Sequence, residues 1–275
     1  MTIAAVIVGV GAAWAQQRPL TTEDPETVGE GRLLVEVGAE YGHDQKFSPS
    51  GLTGNLWRLP VIGFSVGVSS IAEIQVDMPL YDRFSITSRE PAPLAELVDA
   101  TGDVTTDIGD MVIGTKLRLL SEAVNRPSIG LRLATKLPTS SNESGIGLDT
   151  MDFFATALVG KTTGSVRIVG NVGVGLLSDP LIGGRQTDAL TYGASVARAV
   201  SPGFEVVGEA TGRFALGEAD PSVGTEARTV LKGGARFTRG AGRVDGAIII
   251  GATARDPGIG FTFGYTHVFN AVRVP

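Results

Sequence analysis

The 275-residue chain has no cysteine and only two histidines, His43 and His267. No disulfide framework is available, and no Cys/His cluster at metal-ligand spacing exists, so neither a metal site nor any other cofactor is expected. Beyond residue 15 there is no apolar run near the roughly 20 residues that a transmembrane helix needs, which excludes a helical membrane protein. Acidic residues outnumber basic ones, 29 to 23, and no cationic cluster stands out, so a nucleic-acid surface is excluded as well. The motifs G-x-S-x-G and H-E-x-x-H are missing, and Gly160-Lys161-Thr162 lacks the upstream glycine of a phosphate-binding loop. Val169–Gly175 is glycine-rich but opens no helical pattern, which removes nucleotide binding. Catalysis would have to rest on His43, beside Asp44. A solvated loop residue is the plainer account of it.

What the chain does have is alternation. From Phe261 to Phe269 rings stand at Phe261, Phe263, Tyr265, His267 and Phe269 with small or slender residues between them. In a strand this spacing puts every ring on one face, as on a lipid-facing barrel wall or, less specifically, a soluble sandwich edge. Twelve such segments of about 10 to 16 residues recur, from Gly31–Gly42 to Gly258–Phe269. Short connections such as Thr162–Gly164 and Ser201–Gly203 alternate with long ones such as His43–Asn55, Thr87–Thr106 and Pro138–Thr150. An even strand number and alternating loop lengths predict an all-β fold, a transmembrane antiparallel meander barrel with both termini in the periplasm. The acidic stretch Thr87–Thr106 is expected to fold inward, with a helical turn at Leu94–Val98. The short apolar stretch Ile3–Ala13 followed by Ala13-Trp14-Ala15 reads as a signal peptide ending before Gln16. The layout that follows is a signal peptide over 1–15, a periplasmic lead over 16–30, a barrel over 31–269 and a periplasmic tail over 270–275.

Parity assigns the faces. Leu33, Val35 and Val37 oppose Arg32, Glu36 and Glu40; Ile74, Val76 and Met78 oppose Glu73 and Asp77. In the same way Lys116 and Arg118, then Arg132 and Lys136, then Arg228, Lys232 and Arg236 alternate with bulky apolar residues. A charge facing lipid at mid-membrane costs roughly 2–4 kcal/mol, so these twelve residues must line the lumen. Either they form opposed acidic and basic walls that orient a passing solute, or they pair with one another and fill the barrel. The second strand changes phase between Trp57 and Phe64, and a bulge near Pro60 reconciles its halves.

Two stretches carry a resemblance. Arg18–Tyr41, a Thr/Asp-rich lead running into a strand with alternating Glu, and Ala134-Thr135-Lys136-Leu137-Pro138-Thr139-Ser140 with Gly145–Asp149 and Phe153-Phe154, resemble the outer-membrane transporter family named for the meta-pathway of phenol degradation. The chain departs from such barrels by continuing six residues past Phe269. The resemblance implies a channel for small hydrophobic or aromatic organic solutes. The partners expected are outer-membrane lipid, that solute, and the barrel-assembly machinery through Phe261–Phe269. A structural or adhesive barrel and an outer-membrane hydrolase are the other readings. Adhesion would suit aromatic-rich loops, which this chain lacks, and hydrolysis would need a serine and an acid beside His43.

Overall fold

The computed structural model describes residues 18–217 and 221–270, and the expected signal peptide and residues 271–275 of the expected tail lie outside them. Fourteen strand segments form: β1 (Arg32–Phe47), β2 (Leu52–Gly67), β3 (Ala72–Pro79), β4 (Asp82–Arg89), β5 (Val104–Asp107), β6 (Met111–Leu120), β7 (Ser128–Leu137), β8 (Asp152–Thr163), β9 (Val166–Ser178), β10 (Gln186–Ser201), β11 (Phe204–Ala215), β12 (Arg228–Arg239), β13 (Gly242–Gly251) and β14 (Ile259–Asn270). β3 and β4 pair with successive halves of β2, and β6 and β5 pair with β3 and β4 in turn, so each couple is one interrupted strand. The ring therefore has twelve antiparallel strands. It closes without an edge where β1 pairs with both β2 and β14.

The wall is inside-out relative to a water-soluble protein. Leu133, Val172, Ile248 and Phe263 are about half exposed on the outer face (50, 54, 55 and 52%), while Glu73, Lys116 and Thr266 inside are fully buried. An uninterrupted apolar exterior around a polar interior fits a hydrocarbon surround. At β2 the expected bulge is present: Gly38 pairs with Val61 and Glu40 with Arg58, so Leu59 and Pro60 face Ala39 alone. Trp57 before the bulge, packed on Tyr41 and Phe261, and Phe64 after it are consequently both on the outside despite opposite parity.

One expected long loop is instead a hairpin. β1 and β2 stay paired out to Phe47 and Leu52, leaving a turn of four residues where His43–Asn55 reads as a loop. Pairs such as Lys46 and Thr53 need no apolar face once the hairpin leaves the bilayer, so the alternation that marks strands fades there. The segment between β4 and β5 does fold inward. It carries a 3-10 turn at Ala95–Leu97, and Val98 and Ala100 pack with Phe47 and Ile146 against buried Leu52, Leu56, Phe84 and Ile86.

Candidate functional site

The expected periplasmic lead lies inside the barrel. Starting on the wall next to its own attachment at β1, Arg18 donates to Thr262 Oγ1 (2.8 Å) and to the Phe263 carbonyl (2.9 Å) on β14, and sits 3.6 Å from Asp245 on β13. Gly38 and Gly264 make room for this guanidinium, since a Cβ on either would overlap it. The backbone N–H groups of Thr21 and Thr22 then donate to Glu209 on β11, each at 2.8 Å. Glu23 reaches Arg132 on β7 (3.0 Å) and Lys116 on β6 (3.3 Å), while its main chain exchanges two hydrogen bonds with Asn171 on β9. Asp24 accepts a bidentate fork from Arg167, Glu26 pairs with Arg118 at 2.6 Å, and the Val28 N–H donates to Glu73 on β3 at 2.6 Å. A segment that touches β13 and β14 at one end and β6 and β7 in the middle must cross the ring. We refer to residues 18–30 as the strap.

Charge explains why it stays there. Lys116 is fully buried, with Glu73 at 3.0 Å and Glu23 at 3.3 Å. Lys116, Arg118, Arg132 and Arg167 are four cations on one side of the lumen, and the wall sets Glu73, Asp77 and Glu122 beside Lys116, Arg132 and Arg167 in turn. The strap adds Glu23, Asp24 and Glu26, and Glu26 is the ion-pair partner of Arg118. Removing the strap would strip each of the four of a counter-charge in a confined space, which is costly. A Thr/Asp-rich sequence ahead of the first strand reads as a solvated lead because these partners are supplied only when the ring closes.

The twelve residues expected to line the lumen fall as follows. Glu36 accepts from Thr266 (3.1 Å), Glu40 pairs with Arg58 (2.9 Å), and Glu73, Lys116, Arg118 and Arg132 belong to the strap cluster. Asp77 lies 4.0 Å from Arg132; Lys136 bridges Asp110 (3.2 Å) and Asp152 (3.1 Å). Arg236 pairs with Glu205 (2.7 Å), and Lys232 pairs with Glu209 (3.5 Å) and donates to Thr21. Arg32 stands at the foot of β1, where its N–H donates to the Gly29 carbonyl. Arg228 has no ion-pair partner among the described residues. The acidic and basic walls are thus interlocked, with Glu73 on Lys116 as the plainest case. The parity argument stopped short of Arg58, Asp82, Arg167, Asn171, Glu205, Glu209, Arg213 and Asp245. On β11 the same signal was there to use, because Glu205, Glu209 and Arg213 keep one parity.

Two spaces adjoin the strap. One of about 410 Å³ lies between it and the long-loop end, bounded by Thr21, Glu40, Arg58, Arg228, Lys232 and Ile249 among others. The other, about 180 Å³, lies beside Thr22, Glu23, Arg132, Phe154 and Asn171. At the rim His43 Nδ1 is 2.7 Å from Asn55 Oδ1 and Nε2 is 3.3 Å from Asp44, with no serine bonded to it. His267 bonds the Tyr265 hydroxyl on the outer face. Among the described residues no group of three or more His, Cys, Asp or Glu is placed to hold a metal ion.

Neither a family model nor a curated protein matches this sequence. Solved structures do. The COG4313 outer membrane channel from Pseudomonas putida F1 aligns at a TM-score of 0.63 and 15% identity, over 90% of this chain and 98% of that one. The chain has the fold of an outer-membrane β-barrel. Looser matches include LpxR from Salmonella typhimurium (TM-score 0.47, 11% identity, 86% of this chain, 100% of that one). The translocator domain of the autotransporter NalP from Neisseria meningitidis is similar at 0.45 and 14%, over 86% and 87%.

Proposed function

We propose that this chain is an outer-membrane conduit for small organic solutes, hydrophobic or aromatic in character, and that the strap is its gate. The observation that carries the reading is the strap itself. It crosses a polar, charge-lined lumen, and it is joined covalently to the wall only at β1, so it can leave without unfolding a strand. Two adjoining spaces of about 410 and 180 Å³, which share Thr21, Thr191, Thr211 and Gly212, form a vestibule on the long-loop side that ends at the docked strap. The similarity of Arg18–Tyr41 to the opening of phenol meta-pathway transporters and the match to an outer membrane channel support the solute class and the location. Inner apolar surface such as Leu56, Val230 and Ile249 beside charged groups suits a solute with an apolar body and a polar end.

Single-channel recording on the refolded chain from Gln16 onward, with folding verified by a heat-dependent gel shift, tests this. The expected record is a mostly closed barrel with rare discrete openings, together with uptake of benzyl alcohol into liposomes. A folded barrel that neither conducts nor admits benzyl alcohol would sink the proposal.

A further inference from the structure

The larger of these two cavities contains two guanidinium groups that form no ion pair among the described residues. Arg213 on β11 and Arg228 on β12 are direct cross-strand partners, so both side chains leave the wall on the same face, and both line the space of about 410 Å³. Like charges placed opposite each other on neighbouring strands are unfavourable. The other two cations on this cavity are matched: Arg58 by Glu40 and Asp82, Lys232 by Glu209. Among the described residues no carboxylate lies within ion-pair distance of Arg213 or Arg228. The nearby acids point elsewhere, although Glu226 keeps one buried oxygen, Oε2, without a partner. Asp256 accepts from Thr229 N–H and from Thr253, and Glu226 turns to Arg255. Arg213 spends two donors on the carbonyls of Glu226 and Gly224, whereas Arg228 Nε is buried without any partner. Thr191 Oγ1, on the same cavity, is also buried and unbonded.

Buried donors left open in this way signal an absent acceptor, because an unsatisfied buried polar group costs stability. Guanidinium donors prefer a planar oxyanion held through paired hydrogen bonds. The same cavity also offers apolar surface from Leu56, Val230 and Ile249. We infer that Arg213 and Arg228 form a binding site for the carboxylate of a small organic acid whose hydrocarbon body rests on Leu56, Val230 and Ile249. Glu40 and Asp256 on the same cavity favour a monoanion over a doubly charged phosphate ester. This rests on the conduit reading and narrows its solute: the barrel takes in the ionised form of an aromatic or short aliphatic acid, met on the long-loop side of the strap. The arginine pair would concentrate that solute next to the gate.

The test is isothermal titration of the detergent-solubilised full chain with benzoate, and with benzyl alcohol as the uncharged analogue of similar size. Benzoate should bind saturably, and Arg228→Gln should weaken it by about 30-fold, the loss of one or two charge-assisted hydrogen bonds. Arg228 is the clean position because its side chain makes no hydrogen bond or ion pair among the described residues; Arg213→Gln, checked for folding by gel shift, should act in the same direction. Benzoate binding that is absent, or unchanged in both variants, overturns the site, as does benzyl alcohol binding equally well. Liposome uptake separates the two proposals. Arginine-dependent binding without uptake of either compound removes the conduit and keeps the site, whereas uptake without arginine-dependent binding removes the site and keeps the conduit.

Discussion

Replacing Glu23 by Gln removes one charge and almost no volume from the centre of the strap. Two ion pairs are lost, to Lys116 at 3.3 Å and to Arg132 at 3.0 Å, at a place where the side chains of Glu23 and Lys116 are 7% and 0% exposed. Deleting one partner of a buried pair costs about 3–5 kcal/mol when the other is left unmatched. Here neither is. Lys116 keeps Glu73 at 3.0 Å, Arg132 keeps the Gln75 amide oxygen at 2.7 Å, and the main-chain bonds of Glu23 to Asn171 remain. The loss is therefore about 2–3 kcal/mol of strap docking, below the range for an orphaned charge. If docking and closure are one equilibrium, the open fraction in single-channel records should rise by about 30–150-fold. The barrel itself should stay folded, because no strand-to-strand contact is touched, and the gel shift checks this. A folded Glu23→Gln barrel whose open fraction lies within about threefold of the parent would refute the strap as gate, since a coupled gate cannot ignore a perturbation of this size. Adding Arg132→Gln should produce less than the sum of the single effects, as expected for residues in contact.

Gly264→Ala drives the Arg18 guanidinium off its seat, because the three atoms nearest the new Cβ all belong to Arg18. The open fraction should rise by about tenfold, and an unchanged record would mean that Arg18 does not hold the strap. Lys116→Met leaves Glu73 and Glu23 facing each other in a buried site, and should lower barrel stability by about 3–5 kcal/mol in urea unfolding; a change under about 1 kcal/mol would refute the ion-pair account. Asp179, in the loop after β9, is also informative. Burial pushes its carboxyl up, but bonds from the Leu181 N–H, the Ser222 hydroxyl and the Ile182 N–H, with the Arg185 charge, outweigh this and hold it below its ordinary 3.8. A depressed folded value means that the loop contact is fully present above pH 3.8 and is lost as pH falls through the lower value. Carboxyl NMR should give a midpoint below 3.8 that moves up in Ser222→Ala; a midpoint at or above 3.8 in the parent removes the proposed stabilisation.

Much of the barrel was legible in the chain. A strand exposes alternate residues to two different solvents, so Ile74 against Glu73 or Leu133 against Arg132 announces which face is which without any tertiary information. The bulge at Leu59–Pro60 followed from the same rule, because only an extra residue restores the phase. The outer half of the first hairpin was not legible, since pairs beyond the bilayer carry no apolar face. The candidate site was half legible. Parity turned Lys116, Arg132 and Lys232 inward, but nothing local says what meets them, and the partners are Glu23, 93 residues from Lys116, and Thr21, 211 residues from Lys232.

The sequence by itself determined the number of strands, their pairing in order and the side on which each charge stands, because these depend on periodicity and on neighbours along the chain. Only the tertiary structure decided that residues 18–30 lie within the ring, that their acids neutralise Lys116, Arg118, Arg132 and Arg167, and that Arg213 and Arg228 are left over. Those are properties of a closed surface. Which charges come within hydrogen-bond reach across a lumen depends on ring size and stagger, and neither exists until the last strand pairs with the first.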